Sequence, residues 1–240
     1  MSEKQSKSKQ LTAKQKQRDI DLWIIVMCSV VVLLFYSLNQ DKISAFAGDT
    51  SVPILLRVLL SAAFQFGLAG LGISVVAMIR KESFKSHGLQ MKGTLLSIVL
   101  CVACFLPNII FMFVTHQIDG YLPFQSVWTT KEVLGNSFPV NAIGMLITAI
   151  AWGFFEGFNY VFISDMINER YPSQNRWLNW GAISCAILCI LIHGLIGVTP
   201  EGIIEMLTTL FLIYGMLIVK ERTGNAWGCV AVFVFIWNAI

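Results

Sequence analysis

Long apolar runs separated by short polar breaks make up most of this chain. After a lysine-rich stretch at residues 1–19, the runs fall at about 20–38, 53–79, 94–115, 139–165, 178–198, 203–219 and 226–240. Most have the ~20-residue length of a helix that crosses ~30 Å of hydrocarbon. Ten-residue segments of alternating polarity, the mark of a transmembrane β-barrel, are not visible. A helix satisfies its own backbone hydrogen bonds, which lipid cannot do for it. The pattern therefore predicts an all-α fold, a polytopic transmembrane helical bundle of about seven spans. The fourth run is longer than a straight span needs and predicts a tilted helix. The last is short and need not cross fully.

Composition narrows the class. Of the 240 residues, 56% are hydrophobic and 13% are charged, against about 25% charged in a soluble domain. A disordered chain is excluded, because disorder needs low hydrophobicity and high charge. The basic residues test the layout. Six lie in the tail, four at Arg80, Lys81, Lys85 and Lys92, two at Arg170 and Arg176, and two at Lys220 and Arg222, all on one side of the expected spans. The other side holds Lys42 and Lys131, and Arg57 lies within a span. The positive-inside rule then predicts a cytoplasmic N-terminus and an outside C-terminus, in an integral protein of the cell (plasma) membrane. No cleaved signal peptide is expected, since no small-residue cleavage site comes after the first run. The expected organisation is a basic tail (1–19), N-terminal transmembrane helices (20–138) and a core of transmembrane helices (139–240). The net charge of +3 is small; the expected surroundings are the lipid bilayer, with no nucleic acid. All six cysteines fall in apolar runs, where they read as small hydrophobes, so neither a disulfide frame nor a zinc ribbon is expected.

Polar residues inside the runs carry the functional clue, because each is costly in lipid. Arg57 is expected to snorkel to the outer interface. Asn108, after Pro107, is expected to satisfy the carbonyl that proline frees. Gln65, Thr208 and Thr209 read as interhelical hydrogen-bonding groups, Glu205 as a residue near water, and His87 as part of a basic loop. Two residues resist such readings: Glu156 in AWGFFEGFNYVFI and His193 in AILCILIHGLIG. Asn159 and Tyr160 come after Glu156 at i+3 and i+4, which places all three on one helix face. Asn238 is a third polar site, in the last run. A buried carboxylate and an imidazole can together polarise a water for attack on a carbonyl, and an asparagine amide can donate to the oxyanion. The alternative is a Glu–His contact that merely ties two helices. Straight helices would set Glu156 about 6 Å to the cytoplasmic side of mid-membrane and His193 about 7 Å to the outer side, at 1.5 Å per residue.

At these residues the chain resembles the CPBP family of intramembrane proteases, which includes type II CAAX prenyl proteases and Abi-like, bacteriocin-processing proteins. That family carries Glu-Glu-x-x-x-Arg on one helix, Phe-x-x-x-His on the next and His-x-x-x-Asn on a later one. Here the three read Phe155-Glu156-x-x-x-Tyr160, Cys189-x-x-x-His193 and Val234-x-x-x-Asn238. The last comes after RTGNAWGC, similar to a Thr-Gly-x-x-Trp lead-in of the family. The resemblance covers about residues 140–240. It implies an endopeptidase in which Glu156 and His193 activate water and Asn238 stabilises the oxyanion, with Asn159 and Tyr160 beside them. Its substrate would be a peptide or membrane protein. One core histidine and one carboxylate are too few for a zinc site with three protein ligands, so no metal and no other cofactor is expected. The alternative within the family is a catalytically inactive member that serves as a membrane-bound immunity or assembly protein. A proton-coupled transporter is ranked last, because no charged line crosses the runs.

Overall fold

A computed structural model of the chain describes residues 11–175 and 177–240. Residues 1–10 and Arg176, which entered the basic count, lie outside the described residues. Helix α1 (Ala13–Leu38) opens with a capping box in which the Thr12 hydroxyl accepts from the Gln15 amide and the Gln15 side chain accepts from Thr12 N, satisfying amides that a helix start leaves unpaired. Next come α2 (Gln40–Gly48), α3 (Ile54–Ala69), α4 (Leu71–Arg80), a 3₁₀ turn (Phe84–His87) and α5 (Thr94–Val114). The short α6 (Thr130–Leu134) precedes α7 (Val140–Thr148), a π-helical turn (Ala149–Phe155) and α8 (Glu156–Arg170). The chain closes with α9 (Trp180–His193), α10 (Pro200–Thr223), α11 (Trp227–Val232) and a second π-helical turn (Phe233–Trp237). No strand occurs among the described residues.

Among the described residues, four helices are long and apolar enough to cross a membrane: Ala13–Leu38, Thr94–Val114, Val140–Arg170 and Pro200–Thr223. The pair α3 and α4 makes a fifth if its 57° bend lies within one span. This differs from the expected seven. The fifth and seventh runs form the shorter apolar helices Trp180–His193 and Trp227–Trp237. A 14-residue helix such as α9 is about 21 Å long at 1.5 Å per residue, so length alone does not carry it across. Large side chains such as Trp23, Leu34, Phe35, Phe113 and Leu38 (83% exposed) face outward, as they do in a protein whose solvent is lipid.

Helices α1, α9, α10 and α11 pack on α8, α5 packs on α10 and α11, and α1 also packs on α4. Phe158, Phe162, Met166, Cys185, Ile213 and Met216 fill the centre. At Gly181 a Cβ would lie 2.2 Å from the Ser164 carbonyl. Only glycine therefore lets α9 approach α8 this closely, the small-residue packing common between membrane helices.

At the end of the bundle near Arg170, the last residues of the basic tail join a buried network of ion pairs. Arg18 is 3% exposed and binds three carboxylates: Asp21 at 3.0 Å, Glu82 at 2.8 Å and Glu169 at 2.6 Å. Asp21 also takes Arg80 at 2.7 Å, and Asp19 takes Arg170 at 2.6 Å. His87 is buried, not part of a free loop; its Nδ1 lies 2.9 Å from Asp165, which also pairs with Lys220. Burial forces this pairing, since a charge left alone out of water is strongly unfavourable. Arg57 differs from expectation in the same way. It does not snorkel but is buried, paired with Glu132 of α6 and donating to the Val52 carbonyl at 3.1 Å. Asn108 does not serve the backbone near Pro107 either. Its amide donates across to Thr208 of α10 at 3.0 Å.

Candidate active site

Helices α8 and α9 form an antiparallel hairpin. Glu156 is the first of the 15 residues of α8, and His193 is the last of the 14 residues of α9. Two antiparallel helices of nearly equal length bring such residues level. The separation in depth expected from straight spans therefore does not occur. Glu156 Oε1 lies 3.7 Å from His193 Nε2. Helix α9 stops there because Gly194, at φ 68°, takes the left-handed conformation that ends helices.

Both π-helical turns immediately precede a candidate residue, Glu156 in one case and Asn238 in the other. The two turns pack on each other. They meet at Gly153, where a Cβ would sit 2.5 Å from a methyl of Val234. A π turn inserts extra backbone into an α-helix, and such turns recur at functional sites.

Glu156, His193 and Asn238 all line one cavity of about 440 Å³, within the size range of small-ligand sites. The Glu156 side chain is 11% exposed and the His193 side chain 35%, so the imidazole is the wetter member of the pair. Gln65 of α3 donates from Nε2 to the other Glu156 oxygen, Oε2, at 3.0 Å. The carboxylate is thus held at Oε2, with Oε1 turned to the histidine. Asn238 Oδ1 accepts from Ser126 Oγ at 2.9 Å. That bond orients the amide, whose Nδ2 donates to the Trp152 carbonyl at 3.5 Å and keeps one further N–H. Trp237 meets the His193 ring edge-on at 5.5 Å. Glu205 of α10 adds a second carboxylate to the cavity wall.

Asn159 and Tyr160 do not line this cavity. The Tyr160 ring packs on Phe233 at 5.6 Å, and the buried Asn159 Oδ1 has no hydrogen-bond partner among the described residues. They share the α8 scaffold with Glu156 but not its cavity. Gln65 makes the interhelical hydrogen bond expected of it, from α3 to α8, although nothing local names Glu156 as its partner. Ser126 is the residue that sequence reasoning missed. Ser126 lies in a polar loop and carries no signal.

Gln65 and Trp152 also border a second, more apolar cavity of about 560 Å³ beside Leu33, Tyr36, Phe64 and Trp128. The polar cavity and this groove therefore share a wall. Among the described residues, no group of three or more His, Cys, Asp or Glu side chains is placed to hold a metal ion. The arrangement can bind and polarise a water between a carboxylate and an imidazole, and offer an amide donor to a developing negative charge. No family model, no curated protein and no solved structure matches this chain.

Proposed function

We propose that this chain is an intramembrane endopeptidase of the CPBP/CAAX-protease type, in which water activated by Glu156 and His193 hydrolyses a peptide bond near or within the membrane. The observation that supports this reading is the 3.7 Å approach of Glu156 and His193 on a cavity that also holds Asn238. That separation is too long for a direct hydrogen bond and suits two groups that share one water. In the proposed step, the water gives a proton to Glu156 as its oxygen attacks the carbonyl carbon. The tetrahedral oxyanion accepts from Asn238 Nδ2. The proton then passes to the leaving amine as the C–N bond breaks, releasing a carboxylic acid and an amine. No metal or other cofactor takes part in this scheme.

The protein would be an integral one of the plasma membrane with seven spans, the shorter helices included, and with its N-terminus in the cytoplasm. The uneven distribution of basic residues supports that orientation, as does the gathering of Lys14, Arg18, Arg80, Arg170 and Lys220 at one end of the bundle. The site then lies towards the outer end.

A second reading, a catalytically inactive relative acting as an immunity or assembly protein, is favoured by one observation. Three positions where the resembled motifs carry glutamate, arginine and histidine hold packed apolar or aromatic groups here. The Phe155 ring lies 4.8 Å from Phe66, Tyr160 packs on Phe233, and Val234 packs on Gly153. The deciding experiment places the full chain in phospholipid vesicles with a proteome-derived peptide library and reads new termini by mass spectrometry. Wild type should yield products that Glu156→Gln and His193→Ala do not. Equal product sets from all three would reject the protease.

A further inference from the structure

At the end of the bundle opposite the candidate site, a cavity of about 680 Å³ lies between α4, the 3₁₀ turn and the start of α11. Its apolar wall includes Ala77, Met78, Phe84 and Trp227, and Lys81 and Lys85 stand at its rim. Met78 is 70% exposed along this wall. The neighbouring cations are already committed: Arg18, Arg80 and Lys220 each pair with a carboxylate. Lys81 and Lys85 form no ion pair among the described residues. Glu82 also borders the cavity, but its Oε1 is taken by Arg18 at 2.8 Å and its Oε2 faces His87 at 3.6 Å. That carboxylate is neutralised from inside the bundle.

Lys81 carries a second mark. It caps α4 at φ 54° and ψ 33°, a left-handed conformation that strains any residue with a Cβ. Helices α9 and α10 end in the same conformation on glycines, Gly194 and Gly224. A lysine at this turn beside an apolar trough sets a cation next to a surface for hydrocarbon.

We propose that this trough binds one anionic phospholipid, its phosphate between Lys81 and Lys85 and an acyl chain along Met78 and Trp227. Charge complementarity selects the occupant, because a zwitterionic lipid brings no net charge to two unpaired ammonium groups. The cavity is also at the end of the bundle richest in basic residues, where lysines attract anionic headgroups. The proposal is independent of proteolysis.

The test uses the full chain in neutral detergent, with thermal unfolding followed as dioleoylphosphatidylglycerol, dioleoylphosphatidylcholine or inorganic phosphate is added. At a hundredfold excess over its Kd, the glycerol lipid should raise the midpoint by about 5 °C, and the other two should not. The double substitution Lys81→Gln with Lys85→Gln should weaken that lipid roughly thirtyfold. Lys42→Gln with Lys131→Gln, at the other end, should leave it unchanged. An undiminished shift in the Lys81/Lys85 variant, or an equal shift from the choline lipid, overturns the proposal; an equal shift from inorganic phosphate overturns the lipid assignment. Should the double variant fail to fold, Lys85→Gln alone, on the exposed turn, is read by lipid adducts in native mass spectrometry. There a loss of about fivefold is expected, and no loss overturns the proposal.

Discussion

The two ends of α8 place carboxylates in opposite company. Near Arg170, Asp165 faces Lys220 and His87, while Glu169 faces Lys14 and Arg18. Each charge there meets an opposite charge, and Arg18 binds three carboxylates at once. About 20 Å along the same helix, at 1.5 Å per residue, Glu156 meets an amide and a histidine 3.7 Å away, and it borders a cavity. A saturated network locks helices together and leaves no group free to react. A carboxylate supported by a neutral donor at one oxygen, with the other turned to a histidine on a cavity wall, keeps its capacity to accept a proton. The difference separates a structural use of buried charge from a chemical one within one element.

Substitutions can break or sharpen that contrast. If the Glu156 end is chemical, Glu156→Gln should lower peptide cleavage in vesicles by up to about 10⁴-fold while the unfolding midpoint stays near that of wild type. A large midpoint loss with unchanged turnover would place Glu156 in the structural class instead. At the other end, Arg18→Met leaves Asp21, Glu82 and Glu169 short of a partner and should destabilise the fold by about 3–5 kcal/mol, read as a lowered midpoint and poor yield in membranes. Asn238→Ala should cost about 10²-fold in turnover with little change in substrate affinity, if its amide serves the oxyanion only in the transition state. Gln65→Ala removes one hydrogen bond to a charged group, worth about 1.5–3 kcal/mol. It should cut turnover roughly tenfold and leave Arg18-type stability intact; an effect confined to stability would make Gln65 a simple tie between α3 and α8.

Much of the helical character is legible in the sequence, because apolar runs and the cost of charge in lipid are both local properties. The same logic singles out Glu156, His193 and Asn238, each a polar residue in an apolar run, and the structure sets them around one cavity. Distant partners are not legible. Arg57 reads as a snorkelling residue because Glu132, its partner, lies 75 positions away. The network around Arg18 draws on α1, the segment after α4, and α8, and no window of the sequence contains it. Depth is hidden for a related reason. Hydropathy shows how long a run is, not where its hairpin turns, and α9 ends at His193 where the apolar run continues to residue 198. The π turns are invisible too, because a helix that inserts backbone keeps the same apolar composition.

Those two turns have a consequence for how the site is encoded. In an α-helix each residue advances the chain by about 100°. A π turn absorbs an added residue without turning its neighbours. A deletion from a regular α-helix would rotate every later side chain by about 100°. Deleting one residue from Ala149–Phe155 would instead let the segment relax to an α-helix with α7 and Glu156 kept in nearly the same relation. Glu156 should still face His193, so this deletion should cost far less cleavage than Glu156→Gln.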